Sequence, residues 1–158
     1  MKLIIGLGNP GEEYGNTRHN AGFLVADRLE RGKLSGGVVI RKSDVFMNDS
    51  GSFVRSLVDK YKLDPTNLYI IHDDLDIKLG EYKIQLGHGP KDHNGLNDIY
   101  QKLGSDSFWH VRVGIDNRPL DNKPMGIEYV LQNFTDEEKE TLEGVTTQIC
   151  KEINHLLR

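Results

Sequence analysis

Cysteine is almost missing from this chain, which holds one, Cys150, in 158 residues. A single thiol excludes an internal disulfide framework and fits a reducing compartment; its place in a late helical stretch reads as packing. No run of about 18 apolar residues occurs, so no membrane span is expected. No cleavable apolar stretch follows a basic start either, so the expected location is the cytoplasm. A positive balance is lacking too: 20 Lys and Arg stand against 24 Asp and Glu, a net charge of −4. That counts against a broad basic surface. The deficit is uneven, with nine cations and seven acids in residues 1–60 but six and nine in 111–158. Local basic groups can still grip phosphates. Repeats, linkers and low-complexity tracts are absent, and the length suits one domain with a substantial core.

What is present alternates. Lys2–Leu7 reads as a buried strand and His19–Arg31 as a helix carrying Phe23, Leu24, Ala26 and Leu29 at helical spacing. Gly36–Arg41 offers a short strand. Ser50–Lys62 is helical by the spacing of Phe53, Val54, Leu57, Val58 and Tyr61, and it stops before Asp64-Pro65. Asn67–His72 reads as a second buried strand, Glu81–Leu86 as a half-exposed one, His93–Leu103 as an amphipathic helix and Val111–Ile115 as a further strand. Thr135 and Glu138 form a capping-box pattern opening a last helix that runs almost to Arg158. This alternation predicts a single-domain, three-layer α/β sandwich, with a mixed, mostly parallel central sheet and helices on both faces. Sites in such sheets gather at the carboxyl ends of the strands.

The first loop, Gly6-Leu7-Gly8-Asn9-Pro10-Gly11, fits G-x-G-x-x-G and raises the reading of a nucleotide-dependent oxidoreductase. That motif needs a helix opening at its third glycine and an acidic residue about 20 positions on. Here Pro10 removes an N–H, Glu12 and Glu13 would repel a pyrophosphate, and Asp27 lies inside the predicted helix. A plain surface turn explains the glycines but not Asn9, Tyr14, Arg18, His19 and Asn20.

Three further polar groups follow predicted strands or precede helices: Phe46-Met47-Asn48-Asp49-Ser50, His72-Asp73-Asp74-Leu75-Asp76, and the stretch Gly87–Gly95. A histidine near its ordinary pKa of about 6.5 can take a proton from water, and a carboxylate on its other nitrogen fixes the tautomer. Carboxamide N–H groups can hold an oxyanion or bind substrate backbone. His19, Asp73 and the asparagines therefore suit attack of activated water on an ester. Plainer readings stand beside this: Asn48-Asp49-Ser50 as a helix start, and Asp73–Asp76 as a solvated turn or weak magnesium site. His88 and His93 lack partners for a structural zinc, and Ser50 lacks the elbow of a serine nucleophile.

In order, "GLGNPGEEYGNTRHNAG", "FMNDSG", "HDDLD", "HNGLNDI", "VRVGI" and "YVLQNF" resemble the bacterial-type peptidyl-tRNA hydrolase family, and together they span most of the chain. The resemblance implies hydrolysis of the ester joining a peptide or N-blocked amino acid to the 3′ ribose of tRNA, which recycles tRNA for translation. It implies no metal and no cofactor. By position, His19 is similar to the catalytic base, Asp73 to the group holding it, and Asn9 to the residue beside the scissile ester. Tyr14, Phe46, Asn48 and Asn94 match substrate-contacting positions. The implied partner is the acceptor end and 5′ phosphate of peptidyl-tRNA, and one small domain is most simply a monomer. A non-catalytic RNA-binding relative of the same fold is the alternative.

Three departures qualify the match. Only fourteen residues separate Arg31 from Phe46, so the domain is expected to be shortened there, with a smaller sheet edge. The loop before His93 reads Gly87-His88-Gly89-Pro90-Lys91-Asp92 rather than continuously glycine-rich. Gln85 stands where relatives often place a basic residue for the tRNA 5′ phosphate, which leaves Arg112, helped by Lys83 or Lys91, as the expected phosphate contact.

Overall fold

The apolar run Leu3-Ile4-Ile5 lies one place in from the edge of a five-stranded sheet in the computed structural model, which describes residues 1–158. In chain order the strands are β1 (Lys2–Gly6), β2 (Val38–Lys42), β3 (Leu68–Lys78), β4 (Tyr82–Leu86) and β5 (Trp109–Asp116). They lie side by side as β2-β1-β3-β5-β4. All neighbours run parallel except β4, which is antiparallel to β5. Five helices complete the fold: α1 (Ala21–Arg31), α2 (Ser50–Tyr61), α3 (Asn94–Leu103), α4 (Gly126–Val130) and α5 (Asp136–Leu156).

Strands covered on both faces are apolar throughout rather than alternating, and β1 and β3 obey this. Side chains still point alternately to two cores. Ile4, Tyr69, Ile71, Val111, Val113 and Ile115 meet Val25 and Leu29 of α1 and Leu142, Ile149 and Ile153 of α5. Leu3, Ile5, Leu68 and Ile70 meet Val54 of α2 and Leu96 and Ile99 of α3. The expected three-layer α/β sandwich is present. The Thr135 capping box is present too: Glu138 N–H donates to Thr135 Oγ1 at 3.2 Å and Thr135 N–H to Glu138 Oε1 at 2.8 Å.

Several boundaries differ from expectation. His19 lies in a single 3-10 turn, Arg18–Asn20, ahead of α1. The Asp73–Asp76 group is not a loop, because β3 continues to Lys78 with an irregular register between Asp74 and Lys78. The acidic residues hid this extension, since strand propensity is depressed at Asp. Being antiparallel, β4 delivers residue 87 to the amino ends of the parallel strands, not to the carboxyl ends. The stretch 87–93 must climb back to reach the site, and Lys91 N–H donates to Asp76 Oδ2 at 2.8 Å on the way. Helix α4 went unpredicted because five residues carry too little periodicity to register.

The glycines of the first loop serve packing. A Cβ on Gly6 would sit 2.8 Å from Ala26 Cβ and 2.5 Å from the Gly22 carbonyl, and one on Gly8 would sit 2.8 Å from the Phe23 ring. Bare glycines let α1 lie close against the end of β1, which carries the turn before α1 over the carboxyl ends of β1 and β3.

Candidate active site

Asp73 is the centre of the arrangement. It sits beyond the end of β1, on the part of β3 that pairs with Val113, and is 2% exposed. His19 Nδ1 lies 2.8 Å from its Oδ2, and His93 Nε2 lies 2.8 Å from its Oδ1. Burial alone would raise the Asp73 pKa, but the two imidazoles hold it well below the usual carboxylate range. The ionised carboxylate can only accept hydrogen bonds, so both histidines must donate.

This fixes the tautomers. His93 caps α3, its Nδ1 accepting the Leu96 N–H at 3.1 Å, so its proton sits on Nε2 and points at Asp73. His19 donates from Nδ1, which leaves its Nε2 lone pair without a protein partner. Burial would lower the His19 pKa; the Asp73 charge and hydrogen bond reverse this, and the result lies above the ordinary 6.5. His19, Asp73 and His93 place their ligating atoms within 4.8 Å of one another, a spacing a metal could use. Those atoms are instead satisfied by each other, and Leu96 takes the second nitrogen of His93.

A cleft of about 770 Å³ opens over His19. Asn9 reaches it from the β1 loop. Its Oδ1 accepts the Met47 N–H at 2.7 Å, so its Nδ2 hydrogens are the part left for the cleft. Asn20 holds this loop: its Oδ1 accepts the Asn9 N–H at 2.8 Å and its Nδ2 donates to the Asn9 carbonyl at 2.9 Å. Tyr14 and Phe46 meet edge to face at one lip, with centroids 6.2 Å apart. Asn48 and Asn94 are exposed on the rim, and Lys91 lines it as well. Leu75, Met125, Ile127, Val130 and Leu131 give the cleft an apolar part to its lining.

Of the expected residues, Asn9, Tyr14, His19, Phe46, Asn48, Asp73, Lys91 and Asn94 converge on this cleft. Asn48 does not cap α2; Asp49 holds the N-cap position and makes no side-chain cap, and Gly51 N–H donates to Asp98 Oδ2 instead. Arg112 does not line the cleft. It is 9% exposed, with Nε donating to Asp74 Oδ2 at 2.7 Å and Nη1 to Gln85 Oε1 at 2.8 Å.

Sequence reasoning missed the role of His93, seen only as a failed zinc ligand, and that of Asn20. It also missed Arg18. That buried guanidinium donates to Glu138 Oε1 at 2.8 Å and to the Tyr129 carbonyl at 3.1 Å, tying the His19 turn to α4 and α5. The amphipathic pattern that opens at His93 marks a helix start, the one local signal that could have flagged it.

A sequence model of the family described as Peptidyl-tRNA hydrolase matches residues 3–158. The chain belongs to the peptidyl-tRNA hydrolase family. The peptidyl-tRNA hydrolase of Geotalea uraniireducens is 44% identical, over 87% of this chain and 80% of its own length. That of Mycobacterium avium is 38% identical over 92% and 85%. The crystal structure of the Acinetobacter baumannii peptidyl-tRNA hydrolase superposes with a TM-score of 0.87 at 30% identity, over 99% of this chain and 88% of that one. Against such relatives the oxidoreductase reading of the first loop falls away.

Proposed function

We propose that this family member is a carboxylic ester hydrolase that cleaves the bond between a peptide, or an N-blocked amino acid, and the 3′ ribose of tRNA. The observation that carries this reading is the His19 imidazole: Nδ1 bonded to a buried carboxylate, Nε2 free at a cleft rimmed by amides. His19 Nε2 takes a proton from water as that water attacks the ester carbonyl. Asp73 stabilises the imidazolium that forms, and His93 keeps the carboxylate aimed. Asn9 Nδ2 donates to the carbonyl oxygen as charge builds there. Asn48 and Asn94 read peptide backbone, which every peptide shares, while Tyr14 and Phe46 offer stacking surface to the terminal nucleotide.

The contact to the tRNA 5′ phosphate shifts away from the residue the sequence favoured. Two of the Arg112 donors are committed to Asp74 and Gln85, so the exposed ammonium of Lys91, helped by Lys83, takes the phosphate with Arg112 behind them. The cleft is complete within one chain, which supports a monomeric enzyme.

The test is release of N-acetyl-amino acid from N-acetyl-aminoacyl-tRNA by purified protein. His19→Ala is expected to keep its fold and lose turnover by about 10²–10⁴-fold, the usual contribution of a general base. Near-normal turnover in that variant would refute the proposal. Lys91→Ala is expected to narrow the preference for 5′-phosphorylated over dephosphorylated substrate, and an unchanged preference would reject the phosphate assignment.

A further inference from the structure

Alternation along β3 sends Leu68 and Ile70 into the core beneath α2 and α3, and the next side chain on that face is His72. It is 0% exposed. Its Nδ1–H donates to the Asp73 backbone carbonyl at 2.9 Å, while its Nε2 is buried with no protein hydrogen-bond partner. Its ring stands edge-on to His93, with centroids 5.5 Å apart and planes at 71°, and edge-on to His110 at 5.7 Å. An apolar side chain would fill this place without orphaning a buried acceptor, and orphaned acceptors cost stability. Packing therefore does not explain the histidine.

Its position does. The β1–β3 pairing ends at Gly6 and Ile71, whereas β5 still pairs with Asp73 through Val113, so strand pairing holds the Asp73 peptide unit from one side only. We propose that His72 is a positioning residue for hydrolysis: Nδ1–H pins the Asp73 peptide and the ring braces His93, so that the carboxylate stays aimed at His19. Burial first, then His93 and His110, hold the His72 pKa well below 6.5. A neutral His72 adds no competing positive charge, and the Asp73 charge remains available to the His19 imidazolium. The charged and titratable groups around this ring are Asp73, His93 and His110, with Tyr100 hydrogen-bonded to His110 at 2.8 Å and with Asp74 and Arg112 on the same face of the sheet as His72.

The inference rests on His19 and Asp73 as the general-base pair, and the experiment separates the two. In His72→Asn the amide nitrogen overlays Nδ1 and can still donate to the Asp73 carbonyl. In His72→Gln the amide overlays the partnerless Nε2 and cannot. Turnover of N-acetyl-aminoacyl-tRNA is measured per folded enzyme, with thermal unfolding as the control. The Asn variant is expected to stay close to native kcat, and the Gln variant to lose about tenfold or more in kcat with little change in KM, the scale of a slightly misaimed catalytic group. The acid limb of the Gln variant should also move to lower pH, because looser coupling to Asp73 lets the His19 pKa fall. Equal kcat in the two variants, or the reverse order, overturns the proposal. Failure of the general-base reading would show instead as an active His19→Ala variant.

Discussion

Asp73→Asn changes one atom type at the centre of the site and should remove most of the catalysis. His93 cannot adapt, because its Nδ1 is held by the Leu96 N–H and its Nε2–H must find an acceptor at the Oδ1 position. The new amide must therefore turn its oxygen to His93 and its nitrogen to His19. A donor now faces His19 Nδ1, so the imidazole becomes the other tautomer, with its proton on Nε2 and its lone pair turned from the cleft. The base points the wrong way. The charge is lost as well, and without it burial leaves the His19 pKa below 6.5 rather than above it. The corresponding wrong-tautomer change in a serine protease triad costs about 10⁴-fold, and a general base is worth about 10²–10⁴-fold. The expected loss in kcat is thus at least about 10²-fold. It would be read by release of labelled N-acetyl-amino acid from tRNA, with circular dichroism and thermal melting confirming the fold. A folded Asp73→Asn enzyme within about tenfold of native turnover would refute this reasoning.

Other perturbations follow from the same geometry. Asn9→Asp keeps the acceptor for Met47 N–H but replaces the cleft-facing donor by a carboxylate oxygen, so kcat should fall by about 10²-fold or more; a small change in kcat would remove Asn9 from the oxyanion. Arg18→Ala leaves Glu138, 3% exposed, as a buried charge without its cation, and denaturant melts should show a loss of about 3–5 kcal/mol. Stability should also decline in acid. His72 is held well below 6.5 and His110 is pushed down to about 4, chiefly by burial. The unfolded chain takes protons first as pH falls below 6.5, at up to about 1.4 kcal/mol per pH unit for each group. A flat stability profile between pH 6.5 and 4 would contradict their burial as neutral rings.

The layers and core were legible because apolar runs and helical spacing are local signals: Leu3-Ile4-Ile5, the Phe53–Tyr61 stripe and the Thr135–Glu138 box all appear where their patterns placed them. Most of the site residues were legible through the family resemblance. Their mutual geometry was not. Whether His19 meets Asp73 depends on Gly6 and Gly22 letting α1 approach β1, a contact between distant segments that no window of sequence contains. The second partner of Asp73 was hidden for a similar reason. His93 is both a helix cap and a hydrogen-bond donor to a strand, and only the first role is written locally. Arg112 fell outside the cleft because Asp74 and Gln85, distant from it in sequence, take up its donors in the fold.

The central claim is that a neutral His19, protonated on Nδ1 and basic on Nε2, activates the attacking water. Nitrogen-15 NMR of the His19 ring through a pH titration tests it most directly, read beside the pH dependence of kcat/KM. The account predicts a proton on Nδ1 in the neutral form, a midpoint above 6.5, and an acid limb of kcat/KM, with activity rising as pH passes through it, at that same midpoint. A proton on Nε2, or an activity limb that ignores the titration of this ring, would contradict it.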